Sequence, residues 1–211
     1  MLVTRIERQK KQKQRFSIFL DGEFAFGVSD AVLLKHGIRK GDELREEDVT
    51  RIREADSLDA AKRMALNYIS FRPRSSSEVA GYLVRKGFTP GEAATVAQHF
   101  VSVSLINDGE FARMYVRDRL RRKPTGTALL KHELFRRGIP GPLADQVLNE
   151  IVSRENQIEA AVQLAQKKIK ITGLRKRTAD REKVLRQVFG YLLRRGFSSD
   201  VADSALRTLH V

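Results

Sequence analysis

"YLVRKGF" at residues 82–88, "ELFRRGI" at 133–139 and "YLLRRGF" at 191–197 are three versions of one seven-residue phrase, spread over most of a 211-residue chain. The phrase reads as the end of a helix. Gly87, Gly138 and Gly196 stand where a chain leaving a helix turns left-handed, a conformation penalised for any residue with a Cβ. The apolar residue after each glycine folds back onto the leucine four positions before that glycine, pairing Phe88 with Leu83, Ile139 with Leu134 and Phe197 with Leu192. The basic residues just before each glycine face the negative end of the helix dipole.

What surrounds the phrase repeats too. At +6, +9 and +13 from each glycine stand Ala93, Val96 and Phe100, then Ala144, Val147 and Ile151, then Ala202, Ala205 and Leu209, the apolar stripe of a following helix. Thr89-Pro90-Gly91-Glu92 reads as a capping box with proline at the first helical position. Ser75 to Glu78 starts the helix that leads into the first stop, and a further helix lies upstream in "ALNYI" (65–69), "ARMYV" (112–116) and "AVQLA" (161–165), the middle one capped by Asn107 to Glu110. The unit is three helices used three times, its marker glycines 51 and 58 residues apart. A unit of that size buries little alone, so the sequence predicts a mainly α, elongated array of stacked three-helix repeats. Expected boundaries are 56–106, 107–152 and 153–211.

Residues 1–55 differ. "RFSIFLDGEFAFGV" alternates around Asp21-Gly22, a hairpin signal, and "LVTRIER" adds a third strand across the polar "QKKQKQ" turn. "KGDELREEDVTRIREADS" then leads into a helix joining the first repeat. The role of this β module is open between a cover for the end of the helical stack and a partner contact.

Composition narrows function. The chain has no cysteine, which excludes disulfides, thiolate catalysis and cysteine-held metals. Its four histidines are dispersed without HExxH spacing, and no phosphate-cradling glycine loop or nucleophile elbow is present. The reading is a non-enzyme with no cofactor and no metal. No apolar run reaches the roughly 18 residues of a membrane span, and the charged N-terminal stretch lacks a signal-peptide centre, so a cytoplasmic protein is expected. The formal charge is +14 with an isoelectric point near 10.3, which points to a polyanionic partner. Residues 107–211 carry 22 Lys/Arg against 12 Asp/Glu, while residues 1–106 are nearly balanced.

The connections between the first and second helix of each repeat stay basic while they lengthen: "FRPRSSS", "RLRRKPTG" and "KKIKITGLRKRTADREK". Candidate contacts there are Arg72 and Arg74, then Arg117, Arg119, Arg121, Arg122 and Lys123 along the second, then Arg175, Lys176 and Arg177 in the third. The stops supply Arg136, Arg137, Arg194 and Arg195, alongside Arg85 and Lys86. With stacked repeats these would form two basic rails, roughly 15–18 Å apart at 1.5 Å per residue. For the basic pair before each glycine an ordinary dipole and solubility role is the favoured reading. Loops need no basic charge for structure, which favours binding there. Tyr68, Tyr82, Tyr115 and Tyr191 fall on apolar helix faces and read as core more than as base-stacking platforms.

"ALNYISFRPRSSSEVAGYLVRKGF" followed by "LINDGEFARMYVRDRLRRKPTGTALLKHELFRRGI" resembles the RecX family of bacterial recombinase regulators. The resemblance is good over residues 60–152 and looser in the third repeat. It implies a non-enzymatic protein that lies in the groove of a RecA filament on single-stranded DNA, restrains filament growth, ATP hydrolysis and strand exchange, and tempers the SOS response. Its partners would be the RecA filament and the single-stranded DNA within it, with no membrane and no small-molecule substrate. A sequence-specific or non-specific DNA-binding helical regulator is the alternative, but base readout needs an exposed Arg, Asn or Gln at the start of a recognition helix. The helices after the glycines begin "TPGEAAT", "PGPLADQ" and "SSDVADS", small and acidic. A nuclease reading lacks clustered carboxylates, since Asp108 and Glu110 read as a helix cap.

Overall fold

The alternating runs of the first thirty residues form an antiparallel meander. Strands β1 (Val3–Arg8), β2 (Arg15–Leu20) and β3 (Glu23–Ser29) pair in the order β1-β2-β3. Asp21 and Gly22 take φ of 49° and 93° at the tight turn between β2 and β3, as a two-residue hairpin loop requires. Val3, Ile18 and Val28 are fully buried from one sheet face. That face packs with Val32 of α1 (Asp30–Lys35) and Val49 and Ile52 of α2 (Glu46–Ser70) into one apolar cluster. This computed structural model of the protein describes residues 1–171 and 178–209.

The lead-in helix and the first helix of the first repeat are one: α2 runs 25 residues without interruption. Its first half belongs to the sheet's core; further along, Ala61 and Ala65 are fully buried. The sheet is also tied to α2 by polar contacts. Asp56, 8% exposed, accepts from the Ser29 N–H and the Arg15 guanidinium (2.7 Å each), and the Ser29 hydroxyl donates to Asp59 (2.8 Å). A charge-assisted bond and a backbone donor on the same carboxylate are what permit its burial.

The three repeats follow. The first comprises α2, α3 (Ser76–Arg85) and α4 (Pro90–Ser102); the second α5 (Asp108–Arg122), α6 (Thr127–Phe135) and α7 (Gly141–Ile151); the third α8 (Arg154–Ile171), α9 (Thr178–Arg194) and α10 (Ser199–Thr208). Their caps form as the sequence predicts. Ser75 Oγ accepts from the Glu78 N–H (3.0 Å), Asn107 Oδ1 from the Glu110 N–H (3.0 Å), and Thr89 and Glu92 exchange the two bonds of a capping box. The stripe after each glycine is inside: Ala93, Val96, Phe100, Ala144, Val147, Ala202 and Ala205 are at most 2% exposed. Ile151 and Leu209 pack partly buried on their own clusters.

The chain divides into two compact units, residues 1–73 with 79–105, and residues 74–78 with 106–211. In the first, Tyr68 of α2 and Tyr82 of α3 stack with centroids 3.9 Å apart and planes 3° from parallel, and the Ser57 hydroxyl donates to Glu92, joining α2 to α4. The Ser57 hydroxyl, followed by the Thr89 N–H and hydroxyl, holds the Glu92 carboxyl below the usual glutamate range. In the second, separate cores form around Phe111, Leu130 and Leu134 and around Val188, Leu192 and Phe197. Among the described residues no helix is long and apolar enough to cross a membrane.

Candidate functional site

All three stops have the geometry their sequence demands. Gly87, Gly138 and Gly196 sit at φ of +97°, +76° and +85°. The amide after each glycine reaches back to its leucine: Phe88 to Leu83 (3.2 Å), Ile139 to Leu134 (3.1 Å) and Phe197 to Leu192 (3.2 Å). These are Schellman closures, with the glycine N–H bonded to the carbonyl three residues earlier in each case.

Two of the stops do more than end a helix. In the second unit, the stop at Gly138 is seated on the first turn of α3. The Ser75 hydroxyl donates to the Arg137 carbonyl (2.7 Å), and a Cβ on Gly138 would fall inside the Ser77 side chain. The Ser76 N–H and hydroxyl donate to the Asp108 carboxylate (2.8 and 2.6 Å), so Asp108 caps a helix of the preceding repeat as well as lying in the first turn of its own. The Arg137 guanidinium lies 4.4 Å over the Tyr115 ring and pairs with Glu78 (2.8 Å). Burial opposes the Arg137 charge; Tyr115 and then Glu78 outweigh it, holding the guanidinium above its ordinary range.

The stop at Gly196 is seated in the same way on the first turn of α6. The Gly126 N–H donates to the Arg195 carbonyl (2.9 Å) and the Ala128 N–H to the Gly196 carbonyl (3.0 Å). Gln157, 5% exposed, accepts from the Thr127 N–H (3.2 Å) and donates to the Thr125 carbonyl (3.3 Å). Arg195 donates to the Pro124 carbonyl (3.1 Å). Ser75 and Gly126 both stand twelve residues before their repeat's glycine or its counterpart, and Asp108 and Gln157 do the same work one repeat apart. Joining helix N-terminal donors to helix C-terminal carbonyls satisfies the groups that both ends leave unpaired. Sequence reading places Asp108 in a local cap and treats the stop arginines alike; only the equivalence of positions 75–78 and 126–129 signals the joint.

The predicted basic residues separate accordingly. Arg137 and Arg195 are engaged in the joints. Arg119 and Glu133 form a multiply bonded pair, closest contact 3.0 Å, each side chain 22% exposed, with the Tyr115 hydroxyl donating to the same carboxylate (2.9 Å). Arg74 is half-buried. Arg72, Arg117, Arg136, Arg194 and Lys123 are exposed, and Arg72 donates to the Pro73 carbonyl (3.0 Å). Arg121 and Arg122 are brought together by Asp118, 2.9 Å from each, while remaining 81% and 75% exposed. The C-terminal end of α5 is therefore a concentrated outward positive site: Arg117, Arg121, Arg122 and Lys123 against Asp118. Arg175, Lys176 and Arg177 lie outside the described residues. Tyr115 is half-buried between Arg137 and Glu133, and Tyr191 packs on the third repeat's core.

Comparison with known proteins matches four consecutive models along the chain. Residues 1–45 match the regulatory protein RecX N-terminal domain, and residues 61–100, 107–148 and 155–206 match its first, second and third three-helix domains. The regulatory protein RecX of Bacillus licheniformis is 33% identical over 205 residues, 97% of this chain and 76% of that protein. The chain belongs to the RecX family. Among solved structures, a crystal structure of regulatory protein RecX superposes with a TM-score of 0.77 at 28% identity, covering 96% of this chain and 97% of that one. RecX from Lactobacillus salivarius gives 0.66 at 26% identity over 74% of this chain and 98% of that one. In RecX terms, the joints at Gly138 and Gly196 link the first turn of α3, in the first three-helix domain, to the second domain, and α6 of the second domain to the third.

Proposed function

We propose that this RecX-family chain regulates the RecA recombinase by binding in the groove of the RecA filament on single-stranded DNA, where it restrains filament growth, ATP hydrolysis and strand exchange in the cytoplasm. The observation that carries the reading is the outward basic site at the end of α5. Arg117, Arg121, Arg122 and Lys123 are exposed, and Asp118 pairs with two of them at once. Structure requires no such cluster, and a polyanionic groove attracts it. Arg72, Arg136 and Arg194, exposed as well, are further candidate contacts. Action is by occupancy, not by chemistry, and calls for no cofactor or small-molecule substrate.

The test replaces Arg121, Arg122 and Lys123 by Glu and measures co-sedimentation with RecA filaments and with bare single-stranded DNA over a range of salt. Phosphate binding predicts a salt slope that falls by roughly 0.7 for each phosphate left un-neutralised on a single strand. Binding to acidic protein groups predicts weaker filament association with little change on bare DNA. A triple variant that suppresses RecA ATP hydrolysis as strongly as the unmodified chain near physiological salt refutes the assignment.

A further inference from the structure

Three equivalent helix stops exist in this chain, and two of them hold a helix start. Among the described residues the third, at Gly87, is open: a Cβ there would meet none of them within 4 Å, whereas at Gly138 and Gly196 it would collide with Ser77 and Leu129. Around it Arg85, Lys86 and Gly87 are exposed, as is Val84 at 43%. The backbone conformation is the same in all three, so the open stop presents the same carbonyl groups that take Ser75, Gly126 and Ala128 donors elsewhere.

We propose that the stop at Val84–Gly87 is a docking site for the first turn of a helix in a partner protein. The filled joints specify what it accepts. The docked turn offers an N–H or hydroxyl to the Lys86 carbonyl, as Gly126 and Ser75 do to Arg195 and Arg137. It carries small residues against the glycine, as the Ser75-Ser76-Ser77 and Gly126-Thr127-Ala128 turns do. It places an acceptor, preferably a carboxylate, against the basic residue before the glycine, where Arg137 meets Glu78 and Arg195 meets the Pro124 carbonyl. Lys86 occupies that position here, its Nζ 5.7 Å from the Tyr82 ring.

A second copy of this chain does not supply the occupant. Its starts at Ser75 and Gly126 are filled from within, and the carboxylates near the small, acidic starts of α4, α7 and α10 are already paired, Glu92 with Ser57, Asp145 with Lys131 and Asp200 with Arg154. In the third repeat the equivalent position, twelve residues before Gly196, is Val184, 4% exposed and inside α9, which begins at Thr178. The third repeat has no helix start at the joint position. The occupant is therefore foreign, and on the filament reading proposed for this chain, on which this identification rests, it is a helix of the recombinase subunit and not the DNA.

The experiment compares the unmodified chain with Lys86→Glu, Val84→Asp, Lys86→Arg and Gly87→Ala, using RecA filaments on single-stranded DNA and bare single-stranded DNA as the two probes. Lys86 and Val84 are exposed, so their variants fold even if Gly87→Ala does not. Lys86→Glu and Val84→Asp are expected to weaken filament affinity about tenfold or more, the scale of removing one interface anchor. Lys86→Arg retains binding, and bare-DNA binding is unchanged throughout. Filament binding that survives all the variants overturns the proposal. Equal weakening on bare DNA overturns it in favour of a phosphate contact, and self-association abolished by Lys86→Glu overturns it in favour of a second copy. Failure of the unmodified chain to bind filaments is a separate result, which overturns the filament reading and the partner named from it.

Discussion

Alanine at the marker glycines will not have one uniform effect. Gly87→Ala forces a Cβ into left-handed backbone at a cost of roughly 1–2 kcal/mol and meets none of the described residues within 4 Å. Gly138→Ala bears that cost and also drives its Cβ into Ser77, adding roughly 1–3 kcal/mol of overpacking. At about 2–4 °C per kcal/mol for a chain of this size, the second variant melts several degrees below the first. The cause of the clash separates the two joints further. With the Ser77 side chain removed, the nearest atom to a Cβ at Gly138 is the Ser77 Cα at 3.6 Å, an ordinary contact. At Gly196 the Leu129 backbone itself is in the way, its Cα 2.9 Å off and its nitrogen closer still. Ser77→Gly should therefore recover the overpacking part of Gly138→Ala, giving a favourable coupling of roughly 1–3 kcal/mol in a double-mutant cycle, while Leu129→Gly leaves Gly196→Ala unrelieved. The chain has no tryptophan, so urea unfolding followed by far-ultraviolet circular dichroism is the assay. Equal destabilisation at Gly87 and Gly138, or no coupling between positions 77 and 138, would refute the joint.

Arg117 and Arg119, two residues apart on α5, should behave as opposites. Arg119→Ala removes the partly buried partner of Glu133 and costs roughly 1–2 kcal/mol of stability with filament binding retained, whereas Arg117→Ala weakens binding and leaves the melting temperature unchanged; melting curves beside co-sedimentation read both. Glu92 predicts an acid limb: its folded pKa lies below its unfolded one, so its contribution is full above the ordinary glutamate range and is lost as pH falls through the lowered value. Unfolding measured from neutral to acid pH should show a shallower decline for Glu92→Gln, and an unchanged decline removes Glu92 from the account.

Much of this architecture is written locally. The leucine, glycine and following apolar residue of each stop lie within six positions, and the capping box at Thr89 within four, so each is readable from a short window. The joints are not. Arg137 and Glu78, or Thr127 and Gln157, are tens of residues apart and obey no helical period, and an arginine that closes a joint has the same sequence context as one that faces solvent. The same ambiguity runs through the candidate site: Arg119 and Arg121 look alike in "RLRRKPTG", yet one faces Glu133 and the other reaches outward. The continuity of α2 is hidden for a different reason, because its two halves bury different faces for different cores and no single stripe runs its length.

That continuity ties the fate of the β module to the first repeat. A rod of 25 residues, roughly 37 Å at 1.5 Å per residue, gives Val49 and Ile52 to the sheet and Ala61 and Ala65 to the helices beyond it. Between them the rod has no break at which one half could fray while the other holds. Its amide hydrogens should exchange with solvent as one protected block, and trimming the strands away would strip the apolar face from the leading half of a helix that the first repeat cannot do without. The expected role of the module is that of a splint for the repeat behind it.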